Sequence, residues 1–219
     1  MDQDQEFTNK VIDYSKKVGI DIIGFADPNL FDRFPEENKP KSFLKDLTTV
    51  IIVGIHLYDI MLDVWSKNEK IGKSVQFADS VLKNYCNSIS KFLSKQGFES
   101  KIISYNPGLY LKDSAALAGI GPIGKNNLLI TEEFGSQIRL KAITTTAPLV
   151  LGKPIYESRF CEECNICVDS CPADAFNNGS YDKNICLDYN HSNWKKLSEY
   201  TRLWCNRCIE SCPIGKNNK

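Results

Sequence analysis

No run of apolar residues in this sequence is long enough to cross a bilayer. The longest, Val50 to Leu57, is broken by Gly54 and His56, whereas a spanning helix needs roughly 20 apolar residues. Net charge is missing too, since 27 Lys and Arg balance 27 Asp and Glu. A neutral chain has no global attraction to nucleic-acid phosphates. The start, MDQDQEF, is acidic and polar and lacks the basic and apolar regions of a secretory signal. These absences lead us to expect a cytoplasmic protein with no membrane partner, and they weigh against nucleic acid. Histidine is scarce, at two residues. His56 falls in a strand-like segment and His191 in a polar, loop-like one; neither has a partner nearby in sequence, and both read as structural. Cysteine is nearly absent from the first 160 residues, where only Cys86 occurs.

The 219 residues leave room for one medium domain and one small one. Composition divides them near residue 153. Residues 1–152 carry the pattern of a mixed α/β domain. Phe7, Val11, Tyr14 and Val18 recur at helical spacing, and Gly19 ends that helix. Residues 20–26 read as a buried strand. Val50 to Leu57, β-branched and continuous, reads as a strand covered on both faces. A long helix is expected from Ser74 to Lys95, with Val75, Ala78, Leu82, Tyr85, Ile89 and Phe92 as its apolar stripe. Cys86 lies beside that stripe and reads as a buried, inert thiol. Further strands are expected at Glu99 to Ser104 and Leu128 to Thr131, and a small helix at Ser114 to Ala118. Ile138, Leu140 and Ala142 alternate with Arg139 and Lys141, the pattern of a strand with one wet face.

Residues 153–219 hold the other eight cysteines. In a chain expected to be cytoplasmic, such a cluster points to metal and not to disulfides. Cys161-x2-Cys164-x2-Cys167-x3-Cys171-Pro172 is the spacing of two-cluster bacterial ferredoxins. Three thiolates at this spacing wrap one cluster in a tight loop, and a helical turn carries the fourth to the other cluster. The segment Cys164 to Pro172 recurs almost position for position as Cys205 to Pro213, so two pseudo-twofold halves are expected. The second run has Arg202 where a leading cysteine would stand, and Cys186 supplies the missing ligand from a loop. Cluster one then takes Cys161, Cys164, Cys167 and Cys212; cluster two takes Cys171, Cys186, Cys205 and Cys208. Phe160, Ile166, Phe176, Ile185, Leu203, Trp204, Ile209 and Ile214 are expected to form a shell excluding water. Two structural zinc sites are the competing interpretation, but zinc motifs usually separate paired x2 spacings by longer gaps.

With Ile185-Cys-Leu-Asp-Tyr189 and Leu203 to Pro213, the cysteine pattern resembles the double-cluster domain of epoxyqueuosine reductases and their relatives, the reductive dehalogenases. The resemblance continues upstream. Ala118 to Ile130, read as AGIGPIGKNNLLI, is similar to that family's Ala-Gly-Leu-Gly-x-x-x-Lys-Asn segment, and Arg33-Phe-Pro-Glu-Glu37 before the Val50 strand also fits. The resemblance implies an α+β protein, with a nitroreductase-like mixed α/β domain followed by a ferredoxin-like double 4Fe-4S domain. It implies that the first domain holds a corrinoid (cobalamin) base-off, and that the clusters reduce its cobalt for reductive chemistry. Gly119, Gly121, Gly124, Lys125 and Asn126 become the cofactor neighbours, since glycine permits close backbone approach. A structural turn with a solvated lysine is the alternative for these five. A flavin is the second candidate cofactor. The family's aspartate general acid falls here near Tyr105 or Asn106, and Asp113 sits too close to the glycine loop. Tyr105 and Tyr110 are the substitute proton donors. The helical-repeat domain that follows in many members is absent from this sequence, which again weighs against tRNA.

Two functions are consistent with these residues. One is a corrinoid-dependent reductase that moves electrons through two 4Fe-4S clusters. The other is an electron-transfer module that reduces a partner protein or its corrinoid or flavin. Either needs an electron donor such as ferredoxin or flavodoxin. The aromatic residues are not patterned to define an oligomer.

Overall fold

The computed structural model describes residues 3–68, 73–105, 107–177 and 179–216. Asn106, one of the two positions matching the family's aspartate, lies outside the described residues. The fold is mixed α+β with antiparallel strand pairs, and the chain divides into two compact units: residues 1–55, 81–122 and 139–156 form unit 1, and residues 56–80, 123–138 and 157–219 form unit 2.

In unit 1 the first helix, α1, spans Gln5–Lys17. Asp4 caps it by accepting from Phe7 N at 2.8 Å, and Gly19, at φ 104°, turns the chain out of it. Strand β1 (Ile22–Ala26) pairs antiparallel with β2 (Thr49–His56), in register Ile22 with Gly54 through Ala26 with Val50. All but the last residue of β2 is buried, which is why its sequence is continuously apolar. Strand β5 (Ser100–Ile102) and β6 (Ile138–Thr145) complete the sheet, in the order β1-β2-β6-β5. Lys141, expected on a wet face of β6, is buried, so the alternating pattern misjudged that face.

The long helix, α2, spans Phe77–Lys95 and starts later than expected. Lys73–Gln76, which includes Ser74 and Val75, is instead strand β4, paired antiparallel with β3 (Trp65–Asn68). The buried stripe of α2 is Ala78, Leu82, Cys86, Ile89 and Leu93, all fully enclosed. Tyr85 and Phe92 flank it, and Cys86 is part of it. Helix α3 spans Leu111–Leu117 and ends in Gly119, whose left-handed φ of 73° closes the helix as Gly119 N reaches Ala116 O at 3.1 Å. Leu128 to Thr131 forms isolated bridges, Ile123 with Leu129 and Thr131 with Gly135, in place of the expected strand.

Unit 2 is built on a second sheet, ordered β4-β3-β10-β9, where β9 is Lys195–Lys196 and β10 is Thr201–Leu203. Residues 65–68 and 73–76 are thereby tied to the cysteine-rich end of the chain. A small hairpin joins β7 (Phe176–Asn177) to β8 (Ser180–Tyr181). Helix α5 spans Lys183–Asn193 and is capped by Asp182, which accepts from Asn184 N and Ile185 N. Cys186 and His191 both lie on this helix, not in the loops expected for them, because the Asp182 cap starts a helix that the polar composition conceals.

Candidate metal centre

Each cysteine run ends in one helical turn: α4, Ile166–Asp169, and α6, Arg207–Glu210. The repeat in sequence is a repeat in conformation. Asn165 has φ −122° and ψ 9°, and Asn206 has φ −124° and ψ 18°. Their carbonyls accept from Asp169 N at 2.9 Å and Glu210 N at 2.8 Å respectively. The two turns pack against each other, and their equivalent serines meet, Ser170 Oγ to Ser211 Oγ at 2.8 Å. Each serine directly precedes the last cysteine of its run, so this contact brings the ends of the two runs together.

The thiols fall into two overlapping neighbourhoods, with Cys167 near both. Burial, then the charges of Cys161, Cys212 and Cys164, push the Cys167 thiol above its ordinary range. Cys167 and Cys212 are buried, while Cys161 and Cys164 are half-buried. Asn126, Ile130, Phe160, Pro213 and Ile214 line a small pocket with these four cysteines. In the other neighbourhood, burial and the charges of Cys205, Cys186, Cys167 and Cys171 push Cys208 up to about 12. Burial also raises Cys205, opposed by a backbone hydrogen bond from Arg207. Ala175 N donates to Cys171 Sγ at 3.5 Å. Asn190, unmarked in sequence, is buried between Cys186 and Cys205.

Arg202, at the position of the missing cysteine, lies in β10 with its guanidinium 3.9 Å above the Trp194 ring. The Trp65 ring lies tilted against Trp204 with centroids 5.7 Å apart, and His191 meets Trp204 edge-on at 5.8 Å. Of the residues expected to shield the clusters, Leu203 is buried, but Ile166 is 48% exposed and Ile185 36%. The helical turn points Ile166 outward, so the expected shell is open on that side.

The division between the units falls inside the glycine loop, after Pro122. In unit 1, a Cβ on Gly119 would stand 2.7 Å from Lys153 O, so the bare backbone there serves the chain's own packing. In unit 2, a Cβ on Gly124 would run into Ile130. Lys125 Nζ donates to Asn165 Oδ1 at 3.0 Å and to Glu162 O at 3.3 Å, clamping the first cysteine loop. Asn126 is buried and holds Ser136 Oγ and Leu128 N.

Tyr110 and Tyr105 are well exposed. Tyr110 stacks on Phe34 with centroids 5.1 Å apart, and Arg33 lies over the same Phe34 ring while pairing with Asp113 at 2.9 Å. The Arg139 guanidinium lies 5.2 Å from the Tyr105 ring centre. Arg33 and Asp113 are thus committed to each other beside one of the two candidate phenols.

No family model matches the chain. Solved structures share its fold. An epoxyqueuosine reductase from Streptococcus thermophilus superposes with TM-score 0.76 at 20% identity, over 97% of this chain and 67% of that one. An epoxyqueuosine reductase bound to a tRNA stem loop gives 0.74 at 22% identity, over 98% and 66%. A reductive dehalogenase, whose structure is described as suggesting a mechanism for B12-dependent dehalogenation, gives 0.69 at 16% identity, over 97% and 32%. The expected resemblance holds among curated sequences as well: homologues at 23–28% identity over most of the chain are named epoxyqueuosine reductase. The Listeria monocytogenes protein is 28% identical over 95% of this chain, which spans 65% of that relative's length. The tetrachloroethene reductive dehalogenase of Desulfitobacterium hafniense is 34% identical over 90% of this chain, which spans 37% of its length. The neighbour bound to a tRNA stem loop removes the ground for setting nucleic acid aside on neutral charge alone. Among the described residues no helix is long and apolar enough to cross a membrane.

Proposed function

We propose that the chain is an iron–sulfur reductase of the epoxyqueuosine reductase and reductive dehalogenase kind, carrying two 4Fe-4S clusters that feed electrons to a corrinoid. The carrying observation is the repeat, in both sequence and backbone, of two cysteine-bearing turns that meet at Ser170 and Ser211, with Cys161, Cys164, Cys167 and Cys212 lining one pocket. This supports Cys161, Cys164, Cys167 and Cys212 as ligands of cluster one, and Cys171, Cys186, Cys205 and Cys208 as ligands of cluster two.

When bound, the clusters supply single electrons and a corrinoid supplies a strongly reducing metal. The chain's own residues do the rest. The Ser170–Ser211 contact fixes the two halves, Lys125 holds the first cysteine loop, and Asn126 keeps the loop that lines cluster one in place. With Lys125 and Asn126 so engaged, the glycine loop can offer a corrin backbone surface more readily than side chains. Residues 1–152, apart from the segments 56–80 and 123–138 that group with unit 2, form the nitroreductase-like, corrinoid-holding part of this account, and residues 153–219 the ferredoxin-like part. Tyr105 and Tyr110 are exposed phenols and the proton donors of this account. The electron-transfer module is the less favoured alternative, since the named relatives are reductases.

The test is to purify the protein without oxygen, add hydroxocobalamin and record the cobalt spectrum. A retained corrin with a base-off spectrum is expected. No spectral change and no retained corrin would remove the corrinoid from this account.

A further inference from the structure

The chain has three tryptophans, and unit 2 gathers all of them into one patch. Arg202, in β10, is its centre. The register partners of Arg202 are Trp65 of β3 on one side and Lys196 of β9 on the other, so the three share one face of the sheet. The Arg202 guanidinium lies 3.9 Å from the centre of the Trp194 ring. His191 stands between Trp194 and Trp204, with ring centroids 5.8 Å from each. The tryptophans are half-buried, while His191, Lys195 and Lys196 are exposed. Residues 191–207 carry four cations, Lys195, Lys196, Arg202 and Arg207, against one carboxylate, Glu199, in a chain that is neutral as a whole.

This patch adjoins two of the cysteines. Arg202 stands three residues before Cys205, at most about 11 Å along an extended chain. His191 stands five residues after Cys186 on α5, a rise of about 7.5 Å. Its chemistry suits a carboxylate-rich surface. Stacking on a ring engages the face of a guanidinium and leaves the in-plane N–H donors for a carboxylate, which they meet in pairs. The same stacking covers a face of Trp194 that a nucleic-acid base would need, which favours protein over RNA as the occupant. Aromatic rings and arginine are also the usual anchors of protein interfaces. We propose that this surface docks an acidic one-electron carrier protein and brings it to cluster two. In the docked pair the carrier is oxidised by one electron and cluster two is reduced by one; no bond forms or breaks, and no proton moves. The proposal rests on the two-cluster reading above and adds to it the place where electrons enter.

The test is stopped-flow reduction of the oxygen-free, fully loaded chain by two acidic carriers, reduced flavodoxin and reduced bacterial ferredoxin. The parent is compared with Lys195→Glu/Lys196→Glu and with Lys16→Glu/Lys17→Glu, which makes the same charge change on exposed residues of α1 in unit 1. At low salt the patch variant should be reduced about tenfold more slowly than the parent, and the gap should close as salt rises. The α1 variant should stay within about twofold of the parent. Equal slowing of both variants, no slowing of the patch variant, or no reduction of the parent by either carrier would overturn the proposal. So would unchanged reduction with lost binding of an RNA stem loop, which would assign the patch to nucleic acid. Should the patch variant lose iron, Lys196→Gln alone decides: a smaller, salt-sensitive slowing supports the proposal and none overturns it. A parent without iron–sulfur absorbance, read before any carrier is added, would overturn the two-cluster reading itself.

Discussion

Cys86 is the one cysteine outside residues 161–212. It sits fully enclosed in the stripe of α2, and burial pushes its thiol up to about 12. An unfolded thiol titrates near 8.5–9. The folded chain therefore keeps a proton that the unfolded chain loses between pH 9 and pH 12. This contribution to stability is complete below pH 9 and is lost as pH rises towards 12, to an extent on the order of 4 kcal/mol. Native protein at pH 8 should leave Cys86 unlabelled by iodoacetamide while denatured protein labels it, as read by peptide mass spectrometry. Labelling at equal rates would place the thiol outside the core. Lys125 gives a second residue-scale prediction. Lys125→Ala removes the donor that clamps Glu162 and Asn165 and should speed iron loss from cluster one several-fold under a chelator, with cluster two unaffected, consistent with roughly 1 kcal/mol for an exposed charged hydrogen bond. Equal bleaching of both clusters would contradict it. The cysteines were legible because their spacing is local, and Asn190 was not. Its role needs α5 to be recognised first, after which the i, i+4 step from Cys186 points to it.

At the scale of elements, the turn after Cys212 crosses the bridge at Thr131 and Gly135 at backbone contact. Gly135 has φ 56° and Gly215 φ 80°, and a Cβ on either would collide with the other segment's main chain. Both conformation and space therefore require glycine. Gly215→Ala should cost on the order of 1–3 kcal/mol and should loosen Cys212, lowering cluster one occupancy in an iron assay more than cluster two. Full occupancy at parent thermal stability would show that the crossing can relax. The start of α2 was misjudged for a tertiary reason: residues 73–76 follow helical spacing, but pairing with β3 claims them as a strand. Leu128 to Thr131 had the apolar residues of a strand without a ladder partner beyond isolated bridges.

Across the whole molecule, the compact units ignore chain order. Residues 56–80 and 123–138 join the cysteine-rich end in unit 2, through pairing of β3 with β10 and through the loop that lines the pocket of Cys161, Cys164, Cys167 and Cys212. Sequence composition shows where cysteines begin and carries no record of which earlier segments return to them, so this grouping was not legible. The β1-β2-β6-β5 sheet and most of α2 lie in unit 1, around a fully buried β2. Iron chelation should therefore remove the tertiary signal of unit 2 while most of the far-ultraviolet helix signal survives, measured by circular dichroism. A single cooperative loss of both would tie the whole fold to the metal.

The central claim is that eight cysteines hold two cubane clusters, and metal analysis of protein prepared under argon tests it most directly. The account predicts a brown protein with about eight iron and eight sulfide per chain. A colourless protein carrying zinc in their place would contradict it.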